Sequence, residues 1–147
     1  MPLDSPLIIF EDGMYLNGED YATMMNAKVL AELDKFEQDL DLIEDNCTIH
    51  DTPEAQEAFD GSNVTHEFLP PRSPDISWQE KVWVNMAVTV YDGGKKRYSN
   101  KHDLMDALQA AWKNLISNDD YRRRLVVKGK AACRKIIDNQ GYRIHWD

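Results

Sequence analysis

The first half of the chain contains short apolar runs and one stripe of large side chains at helical spacing. The run 7–10 (LIIF) stops at the turn signal Asp12-Gly13 and predicts a first strand. Large side chains at spacings of three and four residues then predict a helix, with Tyr21, Met24, Met25, Val29, Leu33 and Phe36 on one face. Further strands are predicted over 40–45 and 64–69, with a short helix beginning at Thr52-Pro53 between them. This order is typical of a parallel α/β unit.

The second half predicts helices. A proline-rich loop over 70–75 leads into a helix that begins near Ser77 and ends at Asp92-Gly93-Gly94. Asn100 begins a second helix, which carries the clearest amphipathic stripe of the chain. A last helix is predicted over 120–138. The length of 147 residues favours a single domain, and the whole pattern predicts the α/β class with about three strands and about five helices.

Composition excludes several classes of protein. No apolar run approaches the roughly 20 residues of a membrane span, and no charged-then-apolar pattern near residue 1 suggests a signal peptide. Cys47 and Cys133 are too few for a disulfide framework, so a reducing compartment is expected. Four scattered histidines without a CxxC pair argue against a zinc finger.

Charge is distributed unevenly along the chain. Residues 1–67 carry 17 acidic side chains against two lysines, whereas residues 68–147 carry 15 basic against nine acidic side chains. The basic half could neutralise nucleic-acid phosphates or meet an acidic partner. The candidate contact residues are Lys95, Lys96, Arg97, Arg122, Arg123, Arg124, Lys128 and Lys130. The alternative interpretation is that these cations lie on solvated helix faces.

Two segments carry a family resemblance. The segment 45–50 reads DNCTIH, and the segment 70–83 reads PPRSPDISWQEKVW. Together they resemble the second and third acid motifs of the mariner-like superfamily of DDE transposases, cut-and-paste enzymes with an RNase H-like catalytic domain. Asp45 and Glu80 stand at the two acid positions, with 34 residues between them. The resemblance covers nearly the whole chain and implies a truncated RNase H-like domain over residues 1–147.

The resemblance also implies that a catalytic group is missing. No motif in these 147 residues matches the family's first aspartate, and two-metal phosphoryl transfer needs carboxylates that hold both ions. Asp45 and Glu80 are therefore expected to be vestigial, to bind Mg²⁺ weakly or not at all, and to support no catalysis and no cofactor. Trp78 departs from the family pattern, and two roles stay open for it: an exposed anchor for a partner, or core packing.

The expected function follows from that incomplete domain. The resemblance implies that the first two strands of the family's sheet are missing. The remaining sheet is therefore expected to have an open edge near 40–45, which the N-terminal strand predicted in this chain, a second copy or a partner protein could complete. The leading hypothesis is a domesticated, non-catalytic interaction module in a nuclear complex. The alternatives are a nucleic-acid-binding protein that uses the basic half and a regulatory partner of an active transposase. Nuclear location rests on family analogy, with the cytoplasm as the alternative.

Overall fold

The computed structural model describes residues 7–10, 13–36 and 38–144. These residues fall into two compact units, an N-terminal unit that runs to Arg72 and a C-terminal unit that begins at Ser73. Within the described residues, no helix combines the length and the apolar character that crossing a membrane requires. The single domain expected over 1–147 stays a prediction.

The N-terminal unit begins with a helix whose hydrogen bonding changes along its length. Helix α1 is α-helical over Gly18–Met24, π-helical over Met25–Leu30 and α-helical again over Ala31–Leu33. Asn17 caps it, because its side chain accepts a hydrogen bond from the backbone N–H of Asp20 at 2.8 Å. The predicted apolar stripe is confirmed at Tyr21, Met25 and Leu33, which are buried, and Leu30, outside the predicted stripe, is buried as well.

A parallel strand–helix–strand unit follows α1. Strand β1 spans Leu40–Glu44, helix α2 spans Pro53–Phe59 and strand β2 spans Val64–Phe68. Thr52 caps α2 by accepting from the N–H of Ala55 at 3.2 Å, and the first helical position is proline, as the sequence predicts. Gly18 packs on this cap, since a Cβ built on Gly18 would lie 2.3 Å from Oγ1 of Thr52. The two strands pair in register from Leu40 opposite Val64 to Glu44 opposite Phe68.

The sheet is smaller than the sequence predicts. Residues 7–10 form no strand, so the described residues contain a two-stranded sheet, and the prediction of a first strand over 7–10 is wrong. An apolar run shows that a segment can be buried, and residues 7–9 are indeed half-buried. A strand additionally needs a neighbour for its backbone N–H and C=O groups, and four residues do not specify one.

The C-terminal unit is entirely helical in its regular structure. Helix α3 spans Trp78–Tyr91, helix α4 spans Lys101–Ser117 and helix α5 spans Asp119–Asp138. Helix α3 ends where Asp92 takes a left-handed φ of 46°, at the breaker that the sequence predicts. Asn100 and Asn118 cap α4 and α5 by accepting N–H bonds at 2.9 Å from residues three positions on. The described residues thus contain five helices and a small parallel sheet, which confirms the α/β class and the helix count.

A close approach of two helices organises this unit. Gly129 is buried in α5, and a Cβ built on it would lie 1.9 Å from Nε1 of Trp78 at the start of α3. Only a residue without a side chain leaves room for the indole ring there. Met86 and Val90 of α3 are 2% exposed and form the centre of the unit with Ala111 and Ala132.

Candidate functional site

Asp45 lies directly after β1, at the carboxyl end of the parallel sheet, where open α/β sheets place their sites. Its side chain is 72% exposed, and Oδ1 accepts a hydrogen bond from the N–H of Cys47 at 3.1 Å. Nδ1 of His50 lies 3.1 Å from the same oxygen and 3.2 Å from the Asp45 carbonyl. The carboxylate is thus fixed by its own loop and open to solvent on its outer side.

Glu44, one position earlier, points to the opposite side of the sheet. Its side chain is 14% exposed, and Oε1 accepts a hydrogen bond from the hydroxyl of Tyr21 at 2.5 Å. Oε2 lies 2.6 Å from Nε2 of His66, and neither of these two atoms makes a hydrogen bond of regular geometry. The contact is electrostatic, and it is attractive when His66 is protonated. His50 completes the group, with Nε2 4.0 Å from Oε1 of Glu44.

The surroundings of Tyr21 keep its hydroxyl protonated. Burial raises the pKa of Tyr21 well above its ordinary value, and the hydrogen bond to Glu44 and the charges of Glu44 and Asp45 raise it further. Tyr21 therefore stays a hydrogen-bond donor at all ordinary pH values. The ring of His66 is stacked on Phe59, with ring centres 4.3 Å apart, and lies 4.5 Å from the Phe68 ring.

Sequence analysis identified Asp45 but not the cluster that Glu44 forms with Tyr21, His50 and His66. The alternation of β1 places Glu44 on the inward side with Leu40 and Leu42, and this period was a usable signal. A carboxylate at an inward strand position needs a donor or a cation. Nothing local to Glu44 could show that Tyr21 and His66, 23 and 22 residues away, would supply them.

The two predicted acids, Asp45 and Glu80, lie in different compact units of the chain. Glu80 lies in the first turn of α3, exposed, in the C-terminal unit, whereas Asp45 lies in the N-terminal unit. Glu44 is turned inward and is already engaged by Tyr21. In the part of the chain that the structure describes, no three His, Cys, Asp or Glu side chains are grouped so that they could hold a metal ion.

The first basic cluster lies between α3 and α4. Lys96 and Arg97 line a cavity of about 520 Å³ with Tyr98, Asp103 and Asp106, and Lys95 is exposed beside it. The Nζ of Lys96 stands 5.1 Å above the ring centre of Tyr98. The cavity therefore combines cations with carboxylates and is not uniformly basic.

The second basic cluster lies on α5, and its members differ in their surroundings. Arg122 pairs with Asp119 and donates to the carbonyl of Ile116 at 2.6 Å, so it ties the end of α4 to the start of α5. The other four predicted contact residues of α5 are exposed: Arg123, Arg124, Lys128 and Lys130. Trp78 is half-buried, and its indole ring packs against Gly129. A partner contact through Trp78 stays a prediction.

Comparison with known proteins finds a distant relative among the transposases. The chain is 26% identical over 132 residues to the transposable element Tc3 transposase of Caenorhabditis elegans. The chain contains a mariner/Tc1-like transposase-related region. The alignment covers 89% of this chain and 39% of the Tc3 transposase, so the transposase-related region spans well under half of that relative. No protein-family model and no solved structure matches the chain.

Proposed function

We propose that residues 1–147 form a domesticated, transposase-derived interaction module that is non-catalytic by itself and binds a partner protein by strand addition to β1. The free edge of β1 is the observation that carries this proposal. In the described residues β1 pairs with β2 alone. A strand with one unpaired edge offers a row of N–H and C=O groups to another chain.

The hydrogen bonds between β1 and β2 show which backbone N–H and C=O groups of β1 face the open edge. The N–H of Leu40 donates to the carbonyl of Asn63 at 3.0 Å, and the N–H of Leu69 donates to the carbonyl of Glu44 at 2.8 Å. In a parallel ladder the residues that bond one neighbour alternate with those that face away from it. The backbone groups of Asp41 and Ile43 therefore point away from β2, toward the open edge.

The side chains beside this edge indicate the chemistry of the partner. Asp41 and Ile43 are exposed, with 54% of Ile43 accessible, and Thr65 and Glu67 extend the same face on β2. Parallel sheets normally have both faces covered. An extended segment that alternates a basic side chain opposite Asp41 with an apolar one opposite Ile43 would cover both the edge and this face.

The chemistry of the acids supports a binding role. Two-metal strand transfer requires carboxylates that bridge two ions, and the motifs in these residues supply two acids, Asp45 and Glu80. At most a weak Mg²⁺ contact is expected from Asp45, because Mg²⁺ dehydrates reluctantly and prefers more ligands. Location in a nuclear complex follows from the relationship to transposases and is part of the proposal.

The test is capture of partners from nuclease-treated native cell extract, read by mass spectrometry, with edge variants of the tagged chain. Ile43→Pro removes an N–H that points away from β2, and an edge strand tolerates proline at such a position. Phe68→Pro is the matched control, since the register places its N–H on the opposite edge of the sheet. We expect a stoichiometric partner that Phe68→Pro retains and Ile43→Pro loses, with the circular dichroism of both variants unchanged. Partners that vanish with nuclease, or that Ile43→Pro retains, would contradict the proposal.

A second candidate function is nucleic-acid binding by α5. Seven cations and no acid lie between Asp120 and Asp138, and the buried or half-buried positions of α5 form one stripe that leaves most cations exposed. Phosphate contacts release counterions, so log K against log salt concentration has a slope of about −0.9 per contact. We expect replacement of Arg123, Arg124 and Lys130 by Gln to reduce the slope measured on a labelled duplex by about 2.7. The same replacement of Lys95, Lys96 and Arg97 is the charge-matched control. Equal slopes for all three proteins would rule out α5 as the binding surface.

A further inference from the structure

The segment that joins α3 to α4 carries positive charge on both sides of a single serine. Residues 93–102 contain four cations, one histidine and no acid. Three of the cations are consecutive, Lys95, Lys96 and Arg97, and Ser99 follows Arg97 after one residue. No other serine or threonine of the sequence has more than one cation among the four residues before it. Charge patterns of this kind are what protein kinases use to choose their substrates.

The hydroxyl of Ser99 is accessible, in contrast to the neighbouring hydroxyl of Tyr98. Residues 96–98 belong to no helix or strand, and Ser99 lies in a bend directly before Asn100, the cap of α4. Ser99 and the three cations before it are exposed, whereas Tyr98 is half-buried and donates to the carbonyl of Val90 at 2.8 Å. Exposed segments between helices are where a modifying enzyme can reach a side chain. Of the two adjacent hydroxyl groups, only that of Ser99 is therefore open to a kinase within the C-terminal unit.

Acidic side chains flank this segment but do not enter it. Asp92 stands seven positions before the serine, and Asp103 and Asp106 follow it on α4. Both aspartates of α4 have partners of their own. Asp103 accepts a hydrogen bond from the side chain of Asn100 at 2.8 Å, and the Asp106 carboxylate lies 3.3 Å from Nδ1 of His102. The charge that a kinase meets directly before the serine is therefore positive.

The cavity between α3 and α4 brings the serine and two of its cations together. Lys96, Arg97 and Ser99 all line this cavity of about 520 Å³. A phosphate group carries about −1.5 to −2 charges at pH 7 and three strong acceptor oxygens, so on Ser99 it would lie beside both cations. It would also precede the first turn of α4, where the helix dipole favours negative charge. The unit thus offers contacts for the modified serine as well as a recognition sequence for the unmodified one.

We propose that Ser99 is a phosphorylation site for a serine kinase with an acidic substrate cleft. In the reaction, Oγ of Ser99 attacks the γ-phosphorus of ATP, the bond from that phosphorus to the bridging oxygen breaks, and ADP leaves. The hydroxyl proton passes to the catalytic carboxylate of the kinase. The modification changes the formal charge of residues 95–99 from +3 to about +1. The proposal is independent of strand addition at β1, which uses the other unit of the chain.

The first test incubates the intact chain with ATP and the catalytic subunit of cyclic-AMP-dependent protein kinase, which selects serines that follow basic residues. We expect one phosphate per chain, located at Ser99 by tandem mass spectrometry. Cleavage before aspartate releases residues 92–102 as one peptide, so the cations and Ser99 are read together. No incorporation into the intact chain, or incorporation at another residue, would overturn the proposal.

A matched pair of variants identifies the acceptor. Ser99→Ala should lose the phosphate and Ser117→Ala should retain it. Ser117 is the control because it is likewise exposed and directly precedes an asparagine cap, but no cation lies among the three residues before it. In chain purified from native cells with phosphatase inhibitors present, the peptide 92–102 should carry phosphate at Ser99. Its absence there would also contradict the proposal.

The second test asks whether the cations direct the kinase. Arg97→Gln should lower kcat/KM for phosphorylation by about tenfold, because it removes a charged contact to the kinase cleft. Arg134→Gln is the matched control, since it makes the same charge change at an exposed position of α5. Equal kcat/KM for the wild-type chain and Arg97→Gln would refute recognition through the basic segment. A synthetic peptide of residues 92–102 that is phosphorylated while the intact chain is not would show that Ser99 is covered, and it would refute the proposal as well.

Discussion

Replacement of Gly129 by alanine tests the helix contact on which the C-terminal unit depends. In an exposed helix, a change from glycine to alanine stabilises a protein by about 1 kcal/mol, because glycine has the poorer helix propensity. At Gly129 the new Cβ would lie 1.9, 2.3 and 2.7 Å from three atoms of the Trp78 indole ring. The ring is rigid, so Trp78 must move together with the start of α3.

The expected change in the free energy of unfolding is the cost of overpacking minus the gain in helix propensity. Overpacking of this kind costs about 1 to 3 kcal/mol, and three ring contacts below 3 Å place Gly129 in the upper part of that range. After the gain in helix propensity, we expect a net loss of about 1 to 2 kcal/mol. With a urea m-value of about 2 kcal/mol/M, the unfolding midpoint should fall by about 0.5 to 1 M.

The assay is urea unfolding followed by circular dichroism for the wild-type chain, Gly129→Ala, Trp78→Ala and the double variant. Without the indole, the alanine should regain its ordinary advantage, so Gly129→Ala should stabilise the Trp78→Ala background by about 1 kcal/mol. The coupling between the two positions would then be about 2 to 3 kcal/mol. Equal stabilisation by Gly129→Ala in both backgrounds would show that the close approach of α3 and α5 is absent.

Two further predictions concern single side chains. Because the pKa of Tyr21 is raised in the folded chain, Tyr21 stays protonated while its unfolded counterpart ionises above about pH 10. Its contribution to stability is therefore complete below pH 10 and is lost as the pH rises further, so urea midpoints at pH 8 and pH 11 should differ less for Tyr21→Phe than for the wild-type chain. An identical difference would contradict the raised pKa. Asn118→Ala removes the side chain that caps α5 and should lower the free energy of unfolding by about 1 kcal/mol, whereas Asn114→Ala, at an exposed position inside α4, should not lower it, because alanine has the higher helix propensity.

Local signals in the sequence predicted most of the regular structure. Thr52-Pro53, Asn100 and the Asp92-Gly93-Gly94 breaker all lie where the structure begins or ends a helix. Each of these signals involves residues within three or four positions of one another, so a short stretch of sequence includes all the residues that interact. The strand predicted over 40–45 is found as β1, which ends one residue earlier, at Glu44.

Features that depend on distant residues could not be predicted in this way. The strand expected over 7–10 needed a partner that its own composition does not name. The two-residue alternation of β1 indicates that the carboxylate of Glu44 points inward. The sequence pattern places its hydrogen-bond donor, Tyr21, only in an apolar stripe. The role of Trp78 depended on Gly129, 51 residues later, where the absence of a side chain is the decisive property.

Hydrogen exchange of individual backbone amides tests the free edge of β1 most directly. In the purified chain, we expect the amides of Asp41 and Ile43 to exchange fast and those of Leu40 and Leu42 to be protected, because only the latter face β2. In the complex with the captured partner, Asp41 and Ile43 should become protected as well. Protection of Asp41 and Ile43 in the purified chain, or fast exchange of both in the complex, would contradict strand addition at β1.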